Sequence, residues 1–308
     1  MRIFTIKNTT AFLNYSMSLA SSELILNADQ SIYHLHLKPN EISNNIITVG
    51  DPDRVAEVSA HFDFIELKKQ KREFVTHTGT YKNKRISVIS TGIGTDNIDI
   101  VLNELDALVN IDFSNRVLKE KFTQLNIFRL GTSGAIQANI PVDSILISEK
   151  AIGLDALLHF YDANHLLDKP FSEAFIKHMN WSVDKSSPYV VSASTDLLNL
   201  YNELDVLKGI TLTNVGFYGP QGRMLRLPLF DKKMKDSLES FRFKNQLITN
   251  LEMETSGIYG LAALLGHKAV SVNCILANRA NETFSAHPNE VVKKAIKMTL
   301  DLVVKNDL

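Results

Sequence analysis

One cysteine, Cys274, stands in 308 residues, so no internal disulfide can form and a reducing compartment, the cytoplasm, is the expected setting. Cys274 lies in an apolar, strand-like run, which gives it a packing role. No stretch approaches the ~20 apolar residues that a membrane helix requires. The first thirty residues also make a poor signal peptide, because Ala11-Phe12-Leu13 is cut by Asn14 and followed by Ser16 and Ser18. Charge of one sign is lacking as well. With 33 Lys and Arg against 34 Asp and Glu, the formal net charge is −1, which gives no electrostatic case for nucleic acid or an anionic membrane surface. The one basic run, Lys68-Lys69-Gln70-Lys71-Arg72, reads as a solvated loop. There is no internal repeat, low-complexity tract or linker long enough to separate two domains. What remains, 44% hydrophobic and 22% charged, is ordinary globular composition. Residues 1–30 are read as an N-terminal extension, with Met17 an alternative start, and 31–308 as a single domain.

What is there centres on Asn126-Ile127-Phe128-Arg129-Leu130-Gly131-Thr132-Ser133-Gly134, an apolar strand with an arginine inside it, running into a glycine turn. A guanidinium does not give up its proton, and a charge removed from water is costly unless paired. Arg129 should therefore face a fixed anion, either a buried carboxylate or a bound ligand. Two similar stretches precede it: Ile46-Ile47-Thr48-Val49 before Gly50-Asp51-Pro52-Asp53-Arg54, and Ile86-Ser87-Val88-Ile89-Ser90 before Thr91-Gly92-Ile93-Gly94. Open α/β sheets collect ligands at the carboxyl ends of their strands, and glycine turns expose backbone N–H groups that suit anions. Three such turns, two with an arginine, predict a phosphate-sized anion site. The Gly92/Gly94 turn also invites a dinucleotide reading, but the third glycine of that fingerprint is missing, with Asn97 in its place.

Along the chain, Ile32–Leu37 alternates like a strand; its His34 and His36 could share one face, but no carboxylate cluster flanks them and no metal site is assigned. A helix is expected from about Arg54 to His61, then a hairpin of Arg72–Tyr81 and Arg85–Ser90. Ile98, Val101, Leu102, Leu105, Leu108 and Val109 recur at helical spacing. Residues 111–123 read as a surface excursion. Strands are expected near Ser144–Ser148, Val190–Ser192, Ile210–Thr213 and Val270–Ala277. Phe217–Arg223 is a loop, Leu251-Glu252-Met253-Glu254 opens a helix ending at Gly266, and Pro288–Val304 forms the last amphipathic helix. The fold class is α/β: a three-layer domain with a mixed central sheet flanked by helices.

Gly50-Asp51-Pro52-Asp53-Arg54, Thr91-Gly92-Ile93-Gly94, Arg129-Leu130-Gly131-Thr132-Ser133-Gly134 and Glu252-Met253-Glu254 resemble, in order and spacing, motifs of the nucleoside phosphorylase family. Phe217-Tyr218-Gly219-Pro220-Gln221-Gly222-Arg223 resembles the uracil-reading loop of its uridine-cleaving members. The similarity runs from about residue 31 to the C-terminus and omits 111–123. It implies phosphorolysis of uridine to uracil and ribose 1-phosphate, in pyrimidine salvage, with inorganic phosphate as co-substrate and no cofactor required.

By that resemblance, Gly50, Arg54, Arg129 and Thr132 hold phosphate, and Arg72 reaches in from a neighbouring subunit. Gln221 and Arg223 bond the uracil edge, and Phe217 packs on base or sugar. Thr132 and Gly134 line the nucleoside site. Glu254 accepts from ribose hydroxyls with Met253 beside the sugar and Glu252 in support, although the helix dipole alone also favours acidic residues there. His34 takes the position that meets a neighbour's ribose 5′-hydroxyl. Glu73, Ile93 and Asn97 match potassium-binding positions, with Asn97 replacing the usual serine. Purine-cleaving relatives carry an aspartate where this chain has Ala277-Asn278-Arg279. A homo-oligomer is implied, a hexamer built as a trimer of dimers. The competing readings are a water-using nucleosidase, a purine nucleoside phosphorylase and a non-catalytic nucleoside-binding protein.

Overall fold

The structure, a computed structural model, describes residues 18–308; Met17 and the residues before it lie outside the described residues. The first half contains β1 (Asn45–Val49), α1 (Pro52–Ser59), β2 (Phe64–Lys71), β3 (Phe74–Tyr81), β4 (Lys84–Ser90), α2 (Thr95–Asn110), β5 (Ile111–Asp112), β6 (Val117–Leu118) and β7 (Asn126–Ala135). Then come β8 (Ile145–Gly153), α3 (Lys169–Met179), β9 (Tyr189–Ser192), α4 (Thr195–Asn199), β10 (Leu207–Thr213) and α5 (Met234–Ser240). The chain closes with β11 (Arg242–Phe243), β12 (Gln246–Glu252), α6 (Thr255–Leu264), β13 (Lys268–Asn278), β14 (Thr283–Phe284) and α7 (Pro288–Lys305).

The main sheet has the order β11-β12-β10-β8-β13-β7-β1-β4-β3-β2, and β12 also pairs with β7. Within it β13, β7, β1 and β4 run parallel, while β3 and β2 return antiparallel. All five residues of β1 are buried, as a strand covered on both faces requires. On one face α2 lays Ile98, Val101, Leu102, Leu105 and Leu108 against α6 through Ile258, Leu261 and Ala262. On the other, α1, α4 and α7 contribute Val55, Val58, Leu197, Ile296 and Leu300, joined by Tyr201 just after α4. A third cluster packs Phe171 and Phe175 of α3 and Leu238 of α5 against β10 and β12. This is the expected three-layer α/β arrangement with a mixed sheet.

Four local expectations change. Ile32–Leu37 is a turn, not a strand: the His36 N–H donates to Ile32 O at 3.1 Å, the Ile32 N–H to Leu37 O at 2.8 Å, and His36 has φ +57°. Ile32, Leu35 and Leu37 are buried in it without period-two geometry. The basic run at 68–72 is mostly strand: β2 is an edge strand, where lysines discourage pairing with other chains, and Arg72 opens the turn into β3 with φ +54°. Gly131-Thr132-Ser133-Gly134 is not a turn, because β7 continues through it to Ala135; past the end of β1 it pairs with β12 through Gly134 and Ala135. Finally, Leu251 and Glu252 end strand β12, paired with β10, and the helix begins only at Thr255. The excursion at 111–123 carries the short β5–β6 hairpin, on which Leu19 docks by donating its N–H to Arg116 O at 2.6 Å.

Candidate active site

The parallel register sets Val49 beside Ser90 and Leu130, so Gly50, Thr91 and Gly131 continue from adjacent strands at one edge of the sheet. A Cβ on Gly50 would meet Gly92 O at 3.5 Å, so the first two turns touch. Asp51 caps α1 by accepting from the Asp53 N–H at 3.0 Å, which fixes the helix start and Arg54 with it. Arg54 is half-buried and lies near Leu130, Gly131, Cys274 and α7 residues. Thr132, also half-buried, is the next residue of β7.

Arg129 lies on the other side of Gly131 and answers the question its sequence posed. Its Nη2 donates to Glu254 Oε2 at 2.6 Å and lies 3.1 Å from Glu252 Oε2, while Nη1 donates to Asn273 Oδ1 at 3.2 Å and Ser271 Oγ at 3.3 Å. The fixed anion here is a protein carboxylate. Burial opposes the Arg129 charge, but Glu252 and Glu254 outweigh it and hold the guanidinium above its ordinary value. Burial likewise pushes the Glu254 carboxyl upward, with Arg129 pulling it back.

The two glutamates divide their work. Glu252 accepts from Thr213 Oγ1 at 2.6 Å and from the N–H groups of Glu254 and Thr255, both at 2.9 Å. It fastens β12 to β10 and ties down the start of α6. Glu254 bridges Arg129 and the Gly94 N–H, which donates to its Oε1 at 2.9 Å. It joins the second glycine turn to β7. Met253 lies half-buried between them.

A second cluster forms around the loop after β10. Gln221 is buried, and Arg223 donates to its side-chain oxygen and, at 2.8 Å, to Phe217 O. The Arg223 guanidinium stacks 4.0 Å from the Phe217 ring centre. Arg279, from the end of β13, donates to Gln221 O at 2.5 Å. In the sequence Arg279 stands out only within a stretch lacking an aspartate, yet a charged residue directly after a buried strand is a signal of the same kind as Arg129. Burial lowers both guanidinium groups, Arg279 to about 10, with the like charge of Arg223 adding to its shift. Among the described residues the arginine ion pairs are those of Arg85 with Glu66 and of Arg129 with Glu252 and Glu254, so Arg54, Arg223 and Arg279 keep uncompensated charge. Gly134 links the clusters: a Cβ there would come 4.0 Å from Arg279 Cγ.

Two expected site residues, Arg72 and His34, stand apart in the single chain. Exposed Arg72 lies at the β2–β3 turn, and the His34 ring centre is 6.5 Å from that of Phe74 at the start of β3. His34 Nδ1 lies 2.7 Å from Glu104, and His36 is 3.5 Å from Asp29, so the two histidines serve separate partners. Glu73 and Asn97 both crowd Gly92, Glu73 Cγ coming 3.2 Å from the position of a Cβ there, while Ile93 is exposed. No described helix is long and apolar enough to cross a membrane.

Comparison with known proteins places this geometry. A uridine phosphorylase of Thermococcus kodakarensis is 29% identical over 257 residues, covering 82% of this chain and 79% of the relative. A DeoD-type purine nucleoside phosphorylase of Bacillus cereus is 26% identical over 275 residues, covering 88% and 98%. The crystal structure of a Trypanosoma brucei nucleoside phosphorylase, described as showing uridine phosphorylase activity, superposes with a TM-score of 0.82 at 29% identity, covering 92% of this chain and all of that one. Residues 45–305, which span the glycine turns, both arginine clusters and the last helix, match the model of the phosphorylase superfamily, and the chain belongs to that family.

Proposed function

We propose that this chain is a uridine phosphorylase, a pentosyltransferase that converts uridine and inorganic phosphate to uracil and ribose 1-phosphate in cytoplasmic pyrimidine salvage. The observation that carries this reading is the pairing of Arg223 and Arg279 on Gln221, with no carboxylate in ion-pair contact with either guanidinium among the described residues. Such a pocket favours a base that leaves as an oxyanion. An aspartate able to protonate a purine ring is absent from Ala277-Asn278-Arg279.

The chemistry follows from that placement. The C1′–N1 bond breaks through an oxocarbenium-like sugar, and its electron pair leaves on uracil, spread over the ring oxygens. Arg223 stabilises the growing charge and Gln221 offers both donor and acceptor to the N–H and carbonyl of the base edge. A phosphate oxygen forms the new bond to C1′, held by Arg54, Gly50 and Thr132 at the strand ends, with Arg129 behind Gly131. Glu254, aligned by Arg129 and the Gly94 N–H, accepts from the ribose hydroxyls. The departing uracil anion takes a proton from water.

Arg72 and His34 complete the site from a second copy, in a dimer and then a hexamer of three dimers. Glu73, Ile93 and Asn97 would hold the implied potassium ion: their oxygen donors suit a hard cation, and Glu73 and Asn97 converge at Gly92. The ion would supply fixed positive charge at a subunit contact.

The test is a panel of pyrimidine and purine nucleosides, each with and without phosphate. Uracil release from uridine that requires phosphate is the expected result. Equal release without phosphate would identify a nucleosidase, faster cleavage of inosine a purine enzyme, and binding without turnover a nucleoside-binding protein. Sedimentation of the active species checks the shared site, since an active monomer would contradict it.

A further inference from the structure

We propose that Glu104 is a positioning residue that turns His34 into a reader of the nucleoside 5′-hydroxyl. The inference rests on the uridine phosphorylase reading above, and it assigns a role to a residue outside both site clusters. Glu104 projects from α2, and its carboxylate takes four close N–H contacts from one turn. Oε1 accepts from the His34 main-chain N–H at 2.9 Å and lies 2.7 Å from His34 Nδ1. Oε2 accepts from the main-chain N–H groups of His34 at 3.0 Å and Leu35 at 2.8 Å. One side chain, only 12% exposed, thus fixes both the backbone of the turn and the ring it carries.

The consequence for the imidazole is chemical. An ionised carboxylate accepts hydrogen bonds and donates none. Nδ1 must therefore carry the proton, and a neutral ring then presents its lone pair at Nε2. Nε2 makes no hydrogen bond among the described residues, and the side chain keeps 25% of its surface exposed. Tyr33 and Phe74 stand edge-on to the ring at 4.7 and 6.5 Å and limit its rotation. The result is a pre-aligned acceptor whose matching group is a neutral O–H donor. His34 lies beside Phe74, two residues after Arg72, on the rim that the reading above places against a neighbouring site. In the proposed reading the sugar 5′-hydroxyl is the donor that meets it.

The experiment compares kcat/KM for uridine and for 5′-deoxyuridine at saturating phosphate in the full chain. Glu104→Gln keeps an oxygen for the main-chain N–H groups but can turn its NH₂ toward the ring, which frees the tautomer. It should lower the uridine to 5′-deoxyuridine ratio by about three- to tenfold, the scale of one hydrogen bond. His34→Ala should lower the ratio similarly, and the double variant no further than the larger single effect. Glu104→Asp, which keeps the charge with a shorter reach, should fall in between and serves as the second variant if the glutamine form folds poorly. Equal losses on both substrates, or additive effects of the two changes, would reduce Glu104 to a structural clamp. A wild-type chain that releases no uracil from uridine would instead overturn the underlying reading, so the two failures are distinct.

Discussion

The Arg129 guanidinium folds back over Gly131, so that a Cβ on Gly131 would fall 2.5 Å from Arg129 Cζ. The glycine two residues after the arginine is what lets a charged side chain lie flat along the strand and reach Glu254. Gly131→Ala should push the guanidinium off its carboxylates. Breaking a buried ion pair costs about 3–5 kcal/mol, so a large drop in Tm is expected. A Tm within a few degrees of wild type would mean that the pair survives the substitution.

Arg54 and Arg129 should separate by phenotype although both border Gly131. Among the described residues Arg54 has no carboxylate partner, so Arg54→Ala should raise the KM for phosphate by about tenfold or more, the scale of a lost charge-assisted hydrogen bond, with little change in Tm. Arg129→Ala should weaken phosphate saturation and also destabilise, because it leaves Glu252 and Glu254 buried without their cation. Normal phosphate dependence in Arg129→Ala would return that arginine to a purely structural role.

Arg223→Ala should lower kcat for uridine about 100-fold, as expected when a donor to a developing oxyanion is removed, and leave the KM for phosphate within about twofold. Arg279→Ala should act in the same direction but more weakly, since Arg279 contacts the main chain of Gln221. Stopped-flow or steady-state uracil release at fixed phosphate measures both. Unchanged turnover in Arg223→Ala would remove the base-reading role.

In the proposed site Glu254 is the stronger acceptor for the sugar hydroxyls when ionised, and burial raises its pKa above the ordinary 4.5. The acid limb of kcat/KM against pH should therefore lie above that value, with activity lost as pH falls through it. Glu254→Gln should be slower and lack that limb. The sign for stability is opposite: a folded pKa above the unfolded one gives stability that is full below the unfolded value and is lost as pH rises through the folded one. The Tm gap between wild type and Glu254→Gln should therefore shift toward the variant as pH rises. An acid limb below 4.5 would contradict the raised value.

The α/β class, the two amphipathic helices at 95–110 and 288–305, and the hairpin of β3 and β4 could be read from the chain because they rest on local chemistry: hydrophobic period, caps and turn residues. Lys82 and Asn83 both adopt the positive φ that a two-residue hairpin turn demands. The expectation of a helix at Leu251 failed for the opposite reason. Gln246–Glu252 becomes a strand because β10 and β7 flank it, and those partnerships span about 40 and more than 100 residues of sequence. The turn at Ile32–Leu37 escaped notice similarly, since Glu104, some 70 residues away, holds its N–H groups.

By itself the sequence determined which residues carry charge and that Arg129 had to meet an anion, since burying an unpaired guanidinium is too costly. Only the tertiary structure decided that the anion is Glu254, that Glu252 fastens the start of α6, and that Arg279 joins Arg223 at Gln221. Each of those pairings joins segments distant in sequence through sheet register, and no local pattern of side chains encodes which strands become neighbours.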